Sequence, residues 1–199
     1  MSERWGLFGG TFDPVHWGHL LLAEITRQIL NLHKVFFIPA RIPPHKGNVR
    51  ASSEQRYRMA QLACEGNPYF EVSDVEIRRE GPSYTVDTLR TFRSRSANAE
   101  IYLIMGADSA KDLGSWKDHE TILEQSNVVV LGRPGLLGDA VSQRPGSRIT
   151  VLPTPLIELS SSEIRRQVHE GRSIRYLVAD SVEKYIRAEN LYGPGKDSV

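Results

Sequence analysis

Two histidines three residues apart, His16 and His19, close the run Gly9-Gly10-Thr11-Phe12-Asp13-Pro14-Val15-His16-Trp17-Gly18-His19. An imidazole offers an N–H donor near neutral pH, which suits it to phosphate oxygens. Paired glycines let a backbone approach a phosphate closely, Thr11 adds a hydroxyl, and the free N–H groups of a helix's first turn favour an anion. Each part also has a plainer reading. Many tight turns need glycine, Phe12 and Pro14 shape the turn, and two histidines can be surface residues or half of a metal site. No third Cys, His or carboxylate stands nearby at ligand spacing, so no metal site is expected here. Turn, hydroxyl, histidines and helix start converge on one place, and that convergence points to phosphate.

The run lies between a short apolar stretch, Leu7-Phe8, and a segment over 20–30 where Leu21, Leu22, Ile25, Ile29 and Leu30 recur at the spacing of one helical face. Strand, tight turn, helix is the arrangement in which open α/β sheets bind ligands, at the carboxyl ends of their strands. Val35-Phe36-Phe37-Ile38, stopped by Pro39, is an unbroken apolar run of the kind buried on both faces of a parallel sheet. Helices are expected over 53–64, 85–94, 162–169 and 181–187, strands over 101–105, 127–131 and 148–152, and an extended segment over 69–77. This alternation predicts an α/β fold: a Rossmann-like, open, mostly parallel sheet with helices on both faces and a small C-terminal helical part. Segments 40–52 and 132–147 are rich in Pro, Gly, Ser and basic residues, and loops that long are uncommon unless they are functional. No repeat or domain boundary stands out, so a single domain over 1–192 is expected, with 193–199 as a frayed tail.

The chain has 199 residues, enough to bury a core without staples, with 25 Lys and Arg against 24 Asp and Glu. That near-neutral balance advertises neither nucleic acid nor an anionic membrane as partner. Arg78-Arg79 and Arg165-Arg166 are local basic pairs, of the kind usually solvated. Cys64 is the only cysteine, which excludes an internal disulfide framework and any multi-cysteine metal site. Neither a signal peptide nor an apolar stretch of membrane-spanning length is present, so a cytoplasmic location is expected.

The strand–GGTFDPVHWGH–helix segment resembles the ATP-binding signature of the nucleotidyltransferase superfamily, which itself resembles class I aminoacyl-tRNA synthetases. Further blocks narrow the resemblance to the bacterial nicotinate-mononucleotide adenylyltransferases. They are Ile42-Pro43-Pro44-His45-Lys46, Pro82-Ser83-Tyr84-Thr85 with Thr88-Leu89, Gly106-Ala107-Asp108-Ser109, Trp116, Arg133-Pro134-Gly135 and Leu159-Ser160-Ser161-Ser162-Glu163-Ile164-Arg165. They occur in family order and cover nearly the whole chain. Leu159 and Ser162 stand where the family more often has Ile and Thr, changes that keep the apolar surface and the hydroxyl.

The resemblance implies adenylyl transfer from ATP to nicotinate mononucleotide, giving deamido-NAD and pyrophosphate. His16, His19, Lys46 and Arg165 would then be the catalytic residues, acting by positioning and charge stabilisation. ATP and its phosphates would be held by Gly9, Gly10, Thr11, Phe12, Gly18, Gly106, Asp108, Ser161 and Ser162. The acceptor would lie against Ser83, Tyr84, Thr85, Trp116 and Arg133, an aromatic face suiting its flat pyridine ring. Mg²⁺ is expected as a cofactor bound mainly through the ATP phosphates. Bland readings stand beside several of these: Lys46 as a solvated loop lysine, Ser160 to Ser162 as helix caps, Asp108 as a cap, Trp116 as a core anchor, and Arg165 as an exposed helix arginine. Neither nucleic acid nor membrane is expected as a partner, and homo-oligomerisation is left open. The competing functions are an adenylyltransferase that prefers nicotinamide mononucleotide or phosphopantetheine, and a non-catalytic nucleotide sensor on the same fold.

Overall fold

The computed structural model describes residues 2–44, 49–132, 148–155 and 157–194. The elements run β1 (Arg4–Gly10), α1 (Trp17–Leu30), β2 (Lys34–Pro39), α2 (Ser53–Cys64), β3 (Phe70–Val72), α3 (Val75–Arg78), α4 (Thr85–Arg95), β4 (Glu100–Gly106), α5 (Ala107–Lys111), a 3-10 turn (Leu113–Ser115), α6 (His119–Gln125), β5 (Asn127–Gly132), β6 (Ile149–Pro153), α7 (Ser161–His169) and α8 (Asp180–Ala188). Six strands form one sheet in the order β3-β2-β1-β4-β5-β6, and every pairing is parallel.

Parallel strands covered on both faces explain the unbroken apolar runs. Successive side chains point to opposite faces, so each run divides between two cores. Phe8, Val35, Phe37, Ile104, Val129 and Leu131 face the core built with α1, α2, α7 and α8. Leu7, Phe36, Ile38, Leu103, Met105 and Val130 face the core built with α4 and α6. The C-terminal helices thus complete the layer begun by α1 and α2. Among the described residues no helix is long and apolar enough to cross a membrane.

Two local expectations change. The extended segment over 69–77 is a strand only through Val72, and Val75–Arg78 is a helical turn. Arg78 there reaches back to the Asp74 carboxylate at 2.6 Å, a one-turn side-chain pair that alternation of Val75 and Ile77 does not reveal. The stretch after Gly106, in which no element is expected, contains two short helices and a 3-10 turn, too brief and polar for periodicity to register. Of the expected tail, 195–199 lie outside the described residues.

The strand order makes β1 and β4 neighbours on which the chain leaves in opposite directions, so a crevice opens at their carboxyl ends. Phe37 supports that crevice from beneath: it is fully buried, with its ring between 5.2 and 5.7 Å from those of Phe8, Phe12 and Phe70. Phe37→Ala is expected to lower stability by about 3–5 kcal/mol, read as an earlier midpoint in denaturant unfolding with an unchanged slope.

Candidate active site

Two cavities meet over the ends of β1 and β4. The larger, about 780 Å³, is lined by His16, His19, Asp108, Ser160 to Ser162 and Arg165 among others. The smaller, about 200 Å³, is lined by Pro43, Glu76, Ser83, Tyr84, Thr85, Thr88 and Trp116 among others. Gly9, Gly10, Thr11, Gly106 and Ser109 belong to both. Nothing lies within 4 Å of where a Cβ would stand on Gly9 or Gly106, so at both strand ends the bare backbone is open to the shared space.

The loop after β1 is anchored downward. Phe12 has φ 50° and turns its buried ring back under Gly10, where a Cβ would come within 2.9 Å of it. Phe12 thus holds the loop from the core and touches the larger cavity beside His19, 5.1 Å away between ring centres. Gly18 is needed for a similar reason: a Cβ there would stand 3.0 Å from His16 Nδ1.

His16 caps the start of α1 with an extended backbone, and its ring stacks on that of His19 at 3.7 Å. The His16 backbone N–H donates to His19 Nδ1 at 3.2 Å. An Nδ1 that accepts leaves the ring proton of a neutral His19 on Nε2. Burial pushes the His16 imidazole down to about 4, so it is uncharged at neutral pH, and its buried Nδ1 has no hydrogen-bond partner among the described residues.

Arg165, on the first turns of α7, donates to the Asp13 carbonyl at 2.7 Å and to the Ser162 hydroxyl at 3.3 Å. Ser160 caps α7 by accepting from the Glu163 N–H at 3.2 Å. Ser161 donates its hydroxyl to the Pro14 carbonyl at 2.8 Å, tying α7 to the β1–α1 loop. The capping reading thus holds for Ser160, and Ser161 and Ser162 also line the larger cavity. Asp108 projects into solvent at the rim beside Lys111, 3.5 Å away.

On the other side, Ser83 is buried: its N–H donates to the Ile42 carbonyl at 2.9 Å and its hydroxyl accepts from the Arg41 N–H at 2.9 Å. It lines the cavity together with Tyr84, Thr85 and Trp116. Lys117 lies 4.6 Å over the Tyr84 ring. Lys46 and Arg133 lie outside the described residues.

The cytidylyltransferase-like family model matches residues 7–167. The chain belongs to that family. Within the cytidylyltransferase-like family, curated relatives carry the name "Probable nicotinate-nucleotide adenylyltransferase". The Thermomicrobium roseum protein is 45% identical, the alignment covering 96% of this chain and 92% of that one. The Thermus thermophilus protein is 45% identical, with 95% and 99% covered. These place the chain among the bacterial nicotinate-nucleotide adenylyltransferases. The solved structure of the Plasmodium falciparum nicotinic acid mononucleotide adenylyltransferase complexed with NaAD has the same fold, with a TM-score of 0.79 at 20% identity over 96% of this chain and 97% of that one.

Three residues that sequence reasoning passed over hold this family's motif in place. The buried Asp13 carboxylate accepts from the Arg50 N–H at 2.8 Å, the Ala51 N–H at 3.1 Å and the Tyr192 hydroxyl at 2.7 Å. Arg56, 1% exposed, donates to the carbonyls of Thr11, Ala51 and Arg41 at 2.7, 3.2 and 3.1 Å. Asp13 lies inside the motif and so was within reach of sequence reasoning. Arg56 in a polar helix and Tyr192, 179 residues away from Asp13, carried no signal.

His16 makes stability depend on acid. Its ordinary value of 6.5 applies to the unfolded chain, and the folded ring binds a proton only near 4. The contribution is present above pH 6.5 and is lost as pH falls from 6.5 towards 4, up to about 3 kcal/mol. His16→Asn is expected to flatten the pH dependence of unfolding free energy across that window, measured by denaturant unfolding at several pH values.

Proposed function

We propose that this chain transfers the adenylyl group of ATP to nicotinate mononucleotide, releasing pyrophosphate and forming the deamido precursor of NAD. The observation that carries the reading is the shared floor of the two cavities, Gly9 to Thr11 with Gly106 and Ser109. A bisubstrate reaction that joins two nucleotides through their phosphates needs such a meeting point.

ATP is assigned to the larger cavity, with its phosphates between the histidines and the start of α7. The mononucleotide phosphate, already ionised near neutral pH, enters over Gly9 and Gly10 and attacks the α-phosphorus. A new P–O bond forms there as the bond to the β-phosphate oxygen breaks, and pyrophosphate leaves with that bond's electron pair. No side chain has to remove a proton. The His19 Nε2–H donates to the charge that builds on the α-phosphate, and the Arg165 guanidinium, held by Asp13 and Ser162, faces the departing phosphates. His16, neutral and stacked on His19, keeps that ring in place and offers its own nitrogen to the phosphates. Lys46 and Arg133 remain in the reading as the cation on the loop after β2 and as a contact to the acceptor.

Among the described residues no group of three or more His, Cys, Asp or Glu is placed to hold a metal ion. A magnesium ion would be carried in on the ATP phosphates, and Asp108, which lines the larger cavity and projects into solvent, would hold a water of its shell. When bound, magnesium supplies charge neutralisation of the leaving pyrophosphate. The pyridine ring is assigned to Trp116 and Tyr84 and its carboxylate to the N-terminal turn of α4. As part of the same proposal the reaction is placed in the cytoplasm.

Pyrophosphate release with ATP and Mg²⁺ tests the reading, offering nicotinate mononucleotide, nicotinamide mononucleotide and phosphopantetheine in parallel. A strong preference for the first is expected. Preference for another overturns the acceptor assignment, and no release with any overturns catalysis in favour of a nucleotide sensor. His19→Ala is expected to lower turnover at saturating substrates by ~10²–10³ while the circular dichroism spectrum stays unchanged.

A further inference from the structure

The short helix α3, absent from the sequence expectation, and the residue that follows it present two charged side chains to one end of α4. Glu76 and Arg79, three residues apart, lie 3.9 Å from each other. The Glu76 carboxylate is 7% exposed and lines the smaller cavity. It accepts the Thr88 hydroxyl at 2.6 Å and is also hydrogen-bonded by Ser83. Arg79 Nη2 donates to the Thr88 hydroxyl at 3.0 Å and to the Tyr84 carbonyl at 3.3 Å.

The direction of donation is settled by counting protons. A guanidinium only donates, so Thr88 Oγ1 accepts from Arg79, and its single proton goes to the Glu76 carboxylate at 2.6 Å in preference to the Tyr84 carbonyl at 3.4 Å. Ser83 Oγ accepts from the Arg41 N–H, so its proton is likewise free for Glu76. The two chains of donors converge on one carboxylate, and that convergence clamps residues 83–88, which carry the acceptor wall and the first turn of α4. Burial raises the Glu76 carboxyl above its ordinary range, while Thr88, Ser83 and the Arg79 charge pull it back. None of these groups lines the larger cavity.

We infer that Glu76 and Thr88, with Arg79, are positioning residues for the acceptor, setting the orientation of the α4 N-terminal turn that receives the carboxylate of the pyridine nucleotide. This rests on the function proposed above. The pair matters for two physical reasons. The Glu76 carboxylate accepts the two hydroxyls best while ionised, and Arg79, 3.9 Å away, favours that form against burial. A first turn displaced by even a fraction of an ångström would aim its N–H groups away from the bound carboxylate, where hydrogen bonds weaken steeply with angle.

The test compares wild type, Glu76→Gln, Thr88→Val and Thr88→Ser in steady-state kinetics, with ATP and nicotinate mononucleotide varied separately. ATP-analogue binding by calorimetry and thermal unfolding are measured on the same proteins. Glu76→Gln and Thr88→Val are expected to raise KM for the mononucleotide by about tenfold or more. The KM for ATP and the affinity for the analogue should stay within about twofold, since a wall that ATP does not touch is all that has changed. Thr88→Ser, which keeps the hydroxyl, is expected to restore the wild-type KM. The preference for nicotinate over nicotinamide mononucleotide should fall in the two damaging variants, because an amide depends less on N–H donors than a carboxylate does.

An unchanged mononucleotide KM in Thr88→Val overturns the inference. So does an equal change in both substrates that tracks a lowered melting temperature, which marks a purely structural role. If Glu76→Gln fails to fold, the Thr88 pair alone decides. A wild type that does not use nicotinate mononucleotide overturns the underlying function instead, and the two failures are thereby told apart.

Discussion

A buried guanidinium governs the geometry of the cleft. Charged groups are seldom taken out of water unless they are paired and fully hydrogen-bonded. Arg56 satisfies that condition with three carbonyls drawn from three different segments: the motif loop at Thr11, the loop after β2 at Arg41, and the entry to α2 at Ala51. Asp13 supplies the opposing charge that favours the ionised form against the penalty of burial. Asp13 in turn gathers two backbone N–H groups and the Tyr192 hydroxyl. Loops that carry phosphate-binding groups would otherwise be free to move independently. This network makes them one body, and it reaches the acceptor wall through Arg41, whose N–H donates to Ser83.

With that body in place, the catalytic groups are anchored through their backbone and their rear atoms, leaving their working atoms for the ligand. His19 accepts a backbone N–H on Nδ1, which determines where its proton sits. Arg165 is braced by the carbonyl of Asp13, and α7 is held against the motif loop by Ser161. Catalysis of a phosphoryl transfer with an ionised nucleophile depends on such preorganised donors more than on proton movement. The all-parallel sheet supplies the remaining requirement: the strand order places β1 beside β4, so two crevices share one floor of exposed backbone.

The parts of this arrangement that were legible in advance are local. Gly9-Gly10, the histidine pair and the apolar runs of β1, β2, β4 and β5 announce themselves through composition and spacing, because a strand buried on both faces has few alternatives to continuous hydrophobicity. The serine run at 160–162 is legible as a helix start, and Ser160 does cap α7, whereas the bond from Ser161 to the motif loop joins residues that no local pattern connects. The segment after β3 departs from its pattern: Val75 and Ile77 alternate as a strand would, yet Asp74 and Arg78 close a helical turn. Four residues are too few for a helical period to outweigh a strand period. Ser83, expected at the acceptor, lines the smaller cavity, and its hydroxyl also engages Arg41 and Glu76, partners that no local pattern shows.

What the sequence by itself determined was the chemistry: which side chains are present, in which motif order, on which class of fold. Pattern and spacing act over a few residues and survive translation into strands and helices. What only the tertiary structure decided was the set of partners. Tyr192 meets Asp13 across 179 positions, Ser161 meets Pro14 across 147, and Arg56 meets Thr11 across 45. Each of these is a buried or partly buried polar contact whose distance along the chain is unrelated to its distance in space. Such contacts arise because every polar group carried into the interior must find a partner there, and packing of the whole sheet and its helices decides which partner is within reach.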